Sequence, residues 1–241
     1  MKTLIVGGSG TVGTLVAPIL AQTHTVRIFD LRPPQSTDVE FEQGDIGEYS
    51  DLARAVAGMD SLVYMAMGSQ DWAEIHGVVS AFDLNVKGVH LALRAAHAAG
   101  ITQAVYTSSM SIYAGDLMQR AFADEGLTPD AIELYGFTKR LGEEVCQNAA
   151  RLWGMNVNAL RLCWPVADDQ WQRDTVASRP TLSTSASDVA RAIAAALSFQ
   201  GGFQAFMISG DYENKLLRMD KARRLLGWQP LARPSRQPEQ A

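Results

Sequence analysis

The chain of 241 residues has few of the side chains that build metal sites and covalent cross-links. It contains two cysteines and four histidines, and they form no cluster at the spacing of metal ligands. Two cysteines in a chain of this length favour reduced thiols over a structural disulfide. Since 47% of the residues are hydrophobic, the chain can bury a core without such help. We therefore expect one domain over residues 1–241 and no metal.

Long apolar runs and clusters of positive charge are also missing. No apolar run approaches the roughly 18 residues that a membrane-spanning helix needs. The first strand-like run begins at residue 3, so we expect no signal peptide and a cytoplasmic protein. The formal net charge is -5 and the basic residues are scattered, which argues against nucleic acid and membrane as partners.

A glycine-rich segment, GGSGTVG at residues 7–13, lies between a short run of β-type residues and an apolar segment compatible with a helix. Strand, tight turn and helix in this order are typical of a nucleotide-binding loop, although the spacing is G-x-x-G-x-x-G rather than the commoner G-x-G-x-x-G. Gly7, Gly10 and Gly13 would allow the turn, the approach of a pyrophosphate and helix-on-strand packing. A glycine turn in an α/β domain without a cofactor is the alternative.

Asp30 ends the second strand-like run and follows Gly10 by twenty residues. An acidic side chain at this place suits the 2′-hydroxyl of a ribose and repels a 2′-phosphate. We therefore expect NAD as the cofactor, and NADP less so. Arg32 weakens the exclusion of NADP without reversing it.

Strand-like and helix-like segments alternate along most of the chain. The expected strands lie at 3–6, 25–29, 39–43, 61–66, 103–107, 156–162 and 205–209, and the expected helices near 52–57, 73–99, 188–198 and 221–226, with one more around Tyr135. This alternation predicts an α/β fold of the Rossmann type, with a doubly wound parallel sheet that binds ligands at the carboxyl ends of its strands.

The region after residue 162 has a different pattern. Residues 164–187 are polar without periodicity, and we expect a lid or substrate loop there without regular structure. The predicted organisation is a cofactor-binding core at 1–162 and a small substrate-binding region at 163–231, interleaved with the end of the sheet. We expect residues 232–241 to be a mobile tail.

Tyr135 and Lys139 are four residues apart and share one face of a helix. An ammonium on that face can lower the pKa of the phenol and make it a usable acid or base. Ser108 and Ser109 end the preceding strand-like run. The alternatives are an exposed helix pair and a serine that caps the strand end.

Several ordered motifs carry a family resemblance. They are the glycine segment, Asp30, Gly44-Asp45-Ile46, Asn85, the stretch 106–113, Tyr135-x-x-x-Lys139, Leu160-Arg161 and the stretch 221–230. Along nearly its whole length the chain resembles extended short-chain dehydrogenase/reductases of the NAD-dependent epimerase/dehydratase family. Their catalytic serine stands four residues before a tyrosine that matches Tyr113, which implies Ser109.

The resemblance implies roles for individual residues. Tyr135 would exchange a proton with the substrate hydroxyl, Ser109 would hold the substrate oxygen, and Lys139 would lower the pKa of Tyr135 and bond the nicotinamide ribose. Asn85 is equally compatible with a local bond to the backbone. The implied cofactor-binding residues are Gly7, Ser9, Gly10, Thr11, Val12, Gly13, Asp30, Arg32, Asp45, Ile46, Met65, Ala66, Met67, Asn85, Tyr135 and Lys139.

The substrate is less defined. The short region after Lys139 implies a smaller substrate than a nucleotide sugar, and the plan is similar to that of the short uronate dehydrogenases. The candidate substrate residues are Ser69, Ser111, Trp164 and Arg173. In the uronate dehydrogenases an arginine at the place of Arg173 meets a sugar carboxylate. Met110-Ser111 and Trp164 depart from their pattern, and Arg173 is equally compatible with a solvated charge.

Three functions compete on these grounds. The first is an NAD-dependent oxidoreductase or epimerase that acts on a secondary alcohol of a sugar, a sugar acid or a related small polyol. The second is a nucleotide-sugar epimerase or dehydratase with a reduced lid. The third is a non-catalytic regulator that senses NAD(P), although such proteins usually lose the catalytic tyrosine or lysine.

The helix at 73–99 carries more apolar residues than one sheet-facing stripe requires. They are Val78, Val79, Phe82, Val86, Val89 and Leu93. Together with the helix of Tyr135, this face predicts a homodimer with a two-fold axis. The alternative is that the C-terminal segment covers the face within one chain.

Overall fold

Seven parallel strands form the central sheet of the computed structural model, which describes residues 1–175, 179 and 181–234. They are β1 (Lys2–Val6), β2 (Thr25–Asp30), β3 (Glu40–Gln43), β4 (Ser61–Tyr64), β5 (Gln103–Ser109), β6 (Asn156–Leu162) and β9 (Phe203–Ile208), in the order β3-β2-β1-β4-β5-β6-β9. Because β2 and β4 both pair with β1, the strand order reverses there. Doubly wound sheets hold their ligands in the crevice at such a reversal. The predicted fold class is confirmed.

The central strands are apolar on both faces because helices cover both faces of the sheet. Leu4, Ile5 and Val6 are fully buried, and all residues of β4 are buried. The helices are α1 (Thr11–Leu20), α2 (Tyr49–Ala55), α3 (Ile75–Phe82), α4 (Gly88–Ala98), α5 (Leu134–Trp153), α7 (Ala186–Ser198) and α8 (Asp220–Leu226). Within the described residues, no helix is long and apolar enough to cross a membrane.

The helix expected at 73–99 is interrupted. A π-helical segment, Asp83–Lys87, separates α3 from α4 and contains the buried side chain of Asn85. Its amide Nδ2 donates to Thr138 Oγ1 at 2.9 Å, and its Oδ1 accepts from the N–H of Gly68 at 3.4 Å. Single π turns within helices are frequent at functional sites.

The expectation of an unstructured loop at 164–187 is wrong for the described residues. The short strands β7 (Pro165–Val166) and β8 (Thr184–Ser185) pair in parallel, and helix α6 (Asp168–Asp174) lies between them. This helix buries one large side chain, Trp171, whose indole N–H donates to the carbonyl of Ser183 at 2.8 Å. A helix of two turns anchored by one residue has too little apolar periodicity to be recognised. Residues 176–178 and 180 lie outside the described residues.

The start of the expected mobile tail is hydrogen-bonded. The buried carboxylate of Asp188 accepts from the N–H groups of Leu231 and Ala232, and the carbonyl of Arg233 accepts from Gln172. A buried carboxylate needs donors, and here the main chain of the C-terminal segment supplies them. Residues 235–241 lie outside the described residues, so their expected mobility stays a prediction.

Candidate active site

A cavity of about 1130 Å³ runs along the carboxyl ends of the sheet strands. We call the part formed by segments after β1, β2 and β3 the glycine-loop end, and the part formed by segments after β4, β5 and β6 the Trp164 end. The predicted site residues that line the cavity are Gly7, Ser9, Gly10, Thr11, Val12, Asp30, Arg32, Asp45, Ile46, Met65, Ala66, Met67, Ser109, Ser111, Tyr135, Lys139 and Trp164.

Four other predicted residues are not among those that line it. Gly13 packs beneath the glycine loop, where an added Cβ would lie 2.3 Å from the carbonyl oxygen of Gly8. Asn85 bonds to Thr138 as described above. Ser69 Oγ accepts from the N–H of Asp71 at 3.1 Å, and Arg173 pairs with Asp169 on exposed α6.

The glycine loop is built for close contact. Gly7 has a φ of +81°, and a Cβ there would lie 2.5 Å from the main chain of Ala66. Gly10 caps α1 without a side-chain bond, and the first turn of the helix contains no acidic residue. The N–H groups of Thr11 and Val12 can therefore donate to an anion at the cavity wall.

Asp30 faces the same loop. Its carboxylate accepts from the N–H of Ser9 at 3.0 Å and from the N–H of Arg32 at 3.3 Å. These two bonds hold the carboxylate at the end of β2, beside the loop that would hold phosphates. A carboxylate in this place can accept hydrogen bonds from a ribose diol. The start of α1, the carboxylate of Asp30 and the close packing at Gly7 together fit a dinucleotide.

Tyr135 and Ser109 both line the cavity. Burial raises the pKa of Tyr135, and the neighbouring hydroxyl of Ser109 acts in the opposite direction. Ser109 Oγ accepts from the N–H of Ser111 at 3.0 Å, so this serine also caps the turn that follows β5. The indole of Trp72 stacks on the Tyr135 ring, with centroids 6.0 Å apart and planes 10° apart. No sequence pattern pointed to Trp72.

Lys139 lies deeper than its spacing from Tyr135 suggests. Its Nζ donates to the carbonyl of Thr107 at 2.9 Å and lies 5.0 Å from the ring centroid of Tyr106. Burial lowers the pKa of Lys139 to about 8, and negative charge at Cys146 and Glu143 would oppose that shift. The expected lowering of the Tyr135 pKa by Lys139 does not appear in this arrangement, because the ammonium is directed to the Thr107 carbonyl.

A buried ionic network lies behind these residues. Ser108 Oγ donates to Glu143 Oε1 at 2.6 Å, and Arg161 pairs with both oxygens of Glu143 at 3.0 and 2.8 Å. Arg161 also donates to the phenol of Tyr113 at 2.6 Å. No sequence pattern indicated this network, although Glu143 follows Lys139 by four residues on the same helix face. It ties β5, β6 and α5 together behind the cavity.

The Trp164 end has an unusual main-chain conformation. Trp164 has a φ of +36°, which is rare for a bulky residue, and its side chain is 54% exposed at the cavity wall. The N–H of Thr184 donates to the carbonyls of Cys163 and Trp164, at 3.1 and 3.2 Å. Strain of this kind persists where the surroundings over-determine it, often at functional sites.

The geometry agrees with the comparison of the chain with known families. Residues 3–182 match the family model described as NAD dependent epimerase/dehydratase family. The chain belongs to this family. The prediction of NAD as the cofactor is thereby confirmed at the level of the family, and so is the prediction of an NAD-dependent enzyme family.

Individual relatives are of several kinds. A 3 beta-hydroxysteroid dehydrogenase/Delta 5-->4-isomerase from Mycobacterium tuberculosis strain CDC 1551 is 34% identical over 171 residues, which are 66% of this chain and 46% of that protein. The chain thus spans less than half the length of this curated relative. The solved structure of UDP-N-acetylglucosamine 4-epimerase from Bacillus cereus superposes with a TM-score of 0.79 at 18% identity, over 97% of this chain and 92% of that chain. A mutated uronate dehydrogenase superposes with a TM-score of 0.78 at 19% identity, over 96% and 82%. At these identities, the two structures establish the fold.

Proposed function

We propose that the chain is an NAD-dependent oxidoreductase or epimerase that acts on a secondary alcohol of a sugar, a sugar acid or a related small polyol. The observation that carries the proposal is the shared cavity, which Ser109, Tyr135 and Lys139 line together with the glycine loop. Paired groups that can transfer a proton, next to a dinucleotide cradle, are the parts that hydride transfer requires.

Different residues would bind different parts of the cofactor. The first turn of α1 would hold the pyrophosphate, Asp30 the adenosine ribose, Asp45 and Ile46 the adenine, and Lys139 the nicotinamide ribose. When bound, NAD supplies a hydride acceptor or donor at C4 of its nicotinamide. In oxidation the substrate carbon loses the hydride while its hydroxyl proton passes to Tyr135.

The environment of Tyr135 favours its protonated form. Because burial raises its pKa, the phenol keeps its proton at neutral pH and can donate it to a carbonyl oxygen. In the oxidising direction the ionised phenolate is the form that accepts the substrate proton, and the neighbouring hydroxyl of Ser109 favours that form. Ser109 would also hold the substrate oxygen close to the phenol.

Replacing Tyr135 by Phe tests the proposal. We expect NAD affinity, measured by tryptophan fluorescence, to stay nearly unchanged, and turnover to fall by about two to four orders of magnitude, the usual effect of losing a general acid or base. Tyr49→Phe is the matched control, because Tyr49 is an exposed tyrosine of α2. Near wild-type turnover by Tyr135→Phe would contradict the role of this residue.

A nucleotide-sugar epimerase with a reduced lid is the second candidate, and the likeness to the Bacillus cereus epimerase fold favours it. Tight retention of NAD after purification without net NADH formation would support this candidate over a dehydrogenase. The third interpretation, a regulator that senses NAD(P) without turnover, is opposed by the presence of both Tyr135 and Lys139 in the cavity.

We also propose a homodimer. Of the six apolar residues that exceed one sheet-facing stripe, Val89 and Leu93 are buried within the chain. Val79 and Phe82 are 53% and 40% exposed, and Ile75 on the same helix is 75% exposed. An exposed apolar patch of this kind is typical of an interface. Light scattering should give about twice the chain mass of 26.2 kDa, and a mass near 26.2 kDa would contradict the dimer.

A further inference from the structure

We propose that the substrate is an uncharged secondary alcohol or ketone with an apolar face, and not a carboxylate, a phosphate or a nucleotide. This inference rests on the proposed function and narrows its substrate class. It follows from the side chains that the fold places around Tyr135 and from the positions of the nearby cations.

Apart from Lys139, the described side chains that line the Trp164 end are neutral. Its lining residues include Met67, Met110, Leu117 and Trp164, with Gln70 and Gln170 as neutral polar groups. Thioether, aliphatic and indole groups favour an apolar surface, and two amides can hydrogen-bond to hydroxyl or carbonyl oxygens. Trp72 adds a second indole beside Tyr135.

Within the described residues, Lys139 is the only cationic side chain that lines this end. The cationic side chains among the described lining residues are Arg32, which follows β2 at the glycine-loop end, and Lys139. Lys139 is only 3% exposed, and its ammonium donates to the Thr107 carbonyl. A substrate carboxylate would therefore lose its hydration without gaining a free cationic partner, and that loss is costly.

The predicted carboxylate anchor lies elsewhere. The guanidinium of Arg173 is 2.7 Å from a carboxylate oxygen of Asp169 one helical turn earlier, and its side chain is 65% exposed. Arg173 is not among the residues that line the cavity, whereas Ala167 and Gln170 of the same segment are. The segment that contains α6 therefore presents the amide of Gln170 to the cavity, and not the guanidinium of Arg173.

Pairs of compounds that differ in one charge test the inference. The probes are glucose with glucuronate, cyclohexanol with 4-hydroxycyclohexanecarboxylate, and UDP-glucose, each with NAD and the whole protein, followed by NADH absorbance and by tryptophan fluorescence. We expect the neutral member of a pair that reacts to have a kcat/KM about 100-fold higher or more, the scale of burying one unpaired charge. We expect Trp164→Ala to raise KM for that compound while leaving NAD affinity unchanged.

A second variant reverses the expected preference. Gln170→Arg places a cation at the Trp164 end, and it should raise kcat/KM for the carboxylate member relative to the neutral member. A wild-type preference for a carboxylate or for UDP-glucose that disappears in Tyr135→Phe would overturn this inference and leave the proposed function intact. If the neutral member binds without any NADH formation, this inference is supported and the proposed dehydrogenase activity is contradicted. If no probe binds, the inference is overturned.

Discussion

The two ends of the cavity are built from different parts of the chain. The glycine-loop end consists of main chain that contacts main chain: Gly7 touches Ala66, and Gly13 touches Gly8. The Trp164 end consists of side chains from segments that lie far apart in sequence, such as Leu117 and Gln170. At Gly7 and Gly13 the first end leaves no room for a Cβ, and it would bind groups common to all dinucleotides. The second end can change its side chains without disturbing the sheet. Differences in substrate between members of the family are therefore expected at the Trp164 end.

The largest effect on stability is expected from the buried ionic network that joins β5, β6 and α5 behind the cavity. Arg161→Met leaves the buried carboxylate of Glu143 without its cation, and such a loss costs about 3–5 kcal/mol. Chemical denaturation measures the change in the free energy of unfolding. Arg173→Met removes the arginine of a solvent-exposed pair and is the matched control, for which we expect no measurable change. Equal midpoints of the two variants would show that the buried pair does not stabilise the fold.

The glycine-loop end should be nearly as sensitive to a single methyl group. Gly7→Ala combines a positive φ with a contact of 2.5 Å to main chain, and we expect a loss of about 2–5 kcal/mol together with weaker NAD binding. Gly58 also has a positive φ, but an added Cβ meets nothing within 4 Å. Gly58→Ala should therefore cost only about 1–2 kcal/mol and leave NAD affinity unchanged. If both variants bind NAD like the wild type, the contact with Ala66 does not shape the site.

This contrast explains which features could be predicted from sequence. The glycine loop and Asp30 were predictable because each lies within a few residues of a strand end, so local pattern fixes their place. The α6 helix and Trp72 were not, because their positions depend on contacts such as that of Trp171 with Ser183, which only the folded chain brings together. The pairing of Arg161 with Glu143 was not predictable for the same reason, since Glu143 lies on another element.

The burial of Lys139 predicts a pH dependence of stability. The folded-state pKa is about 8 and the unfolded value is 10.5, so between these values the unfolded chain binds more protons. The free energy of unfolding should therefore rise as the pH increases from about 8 towards 10, by at most about 3 kcal/mol. Below pH 8 both states are protonated and the contribution of this group is constant. Denaturation of wild type and Lys139→Met at several pH values isolates the effect, because the other titrating groups are common to both. Parallel curves would mean that Lys139 titrates normally.

The smallest effect concerns the choice between the two cofactors. Asp30 holds the end of β2 through bonds from Ser9 and Arg32, and its charge would face a 2′-phosphate. We expect NAD to bind about tenfold more tightly than NADP, since repulsion between close charges in solvent is worth on the order of 1 kcal/mol. Titration of both cofactors by tryptophan fluorescence measures this ratio. Asp30→Ala should remove most of the preference, and Arg32→Ala should increase it, because it deletes the cation that can approach the phosphate. An unchanged ratio in Asp30→Ala would mean that the main chain of the glycine-loop end selects the cofactor. The side chains at that end would then contribute nothing to the selection, and the contrast with the Trp164 end, where side chains form the wall, would be stronger.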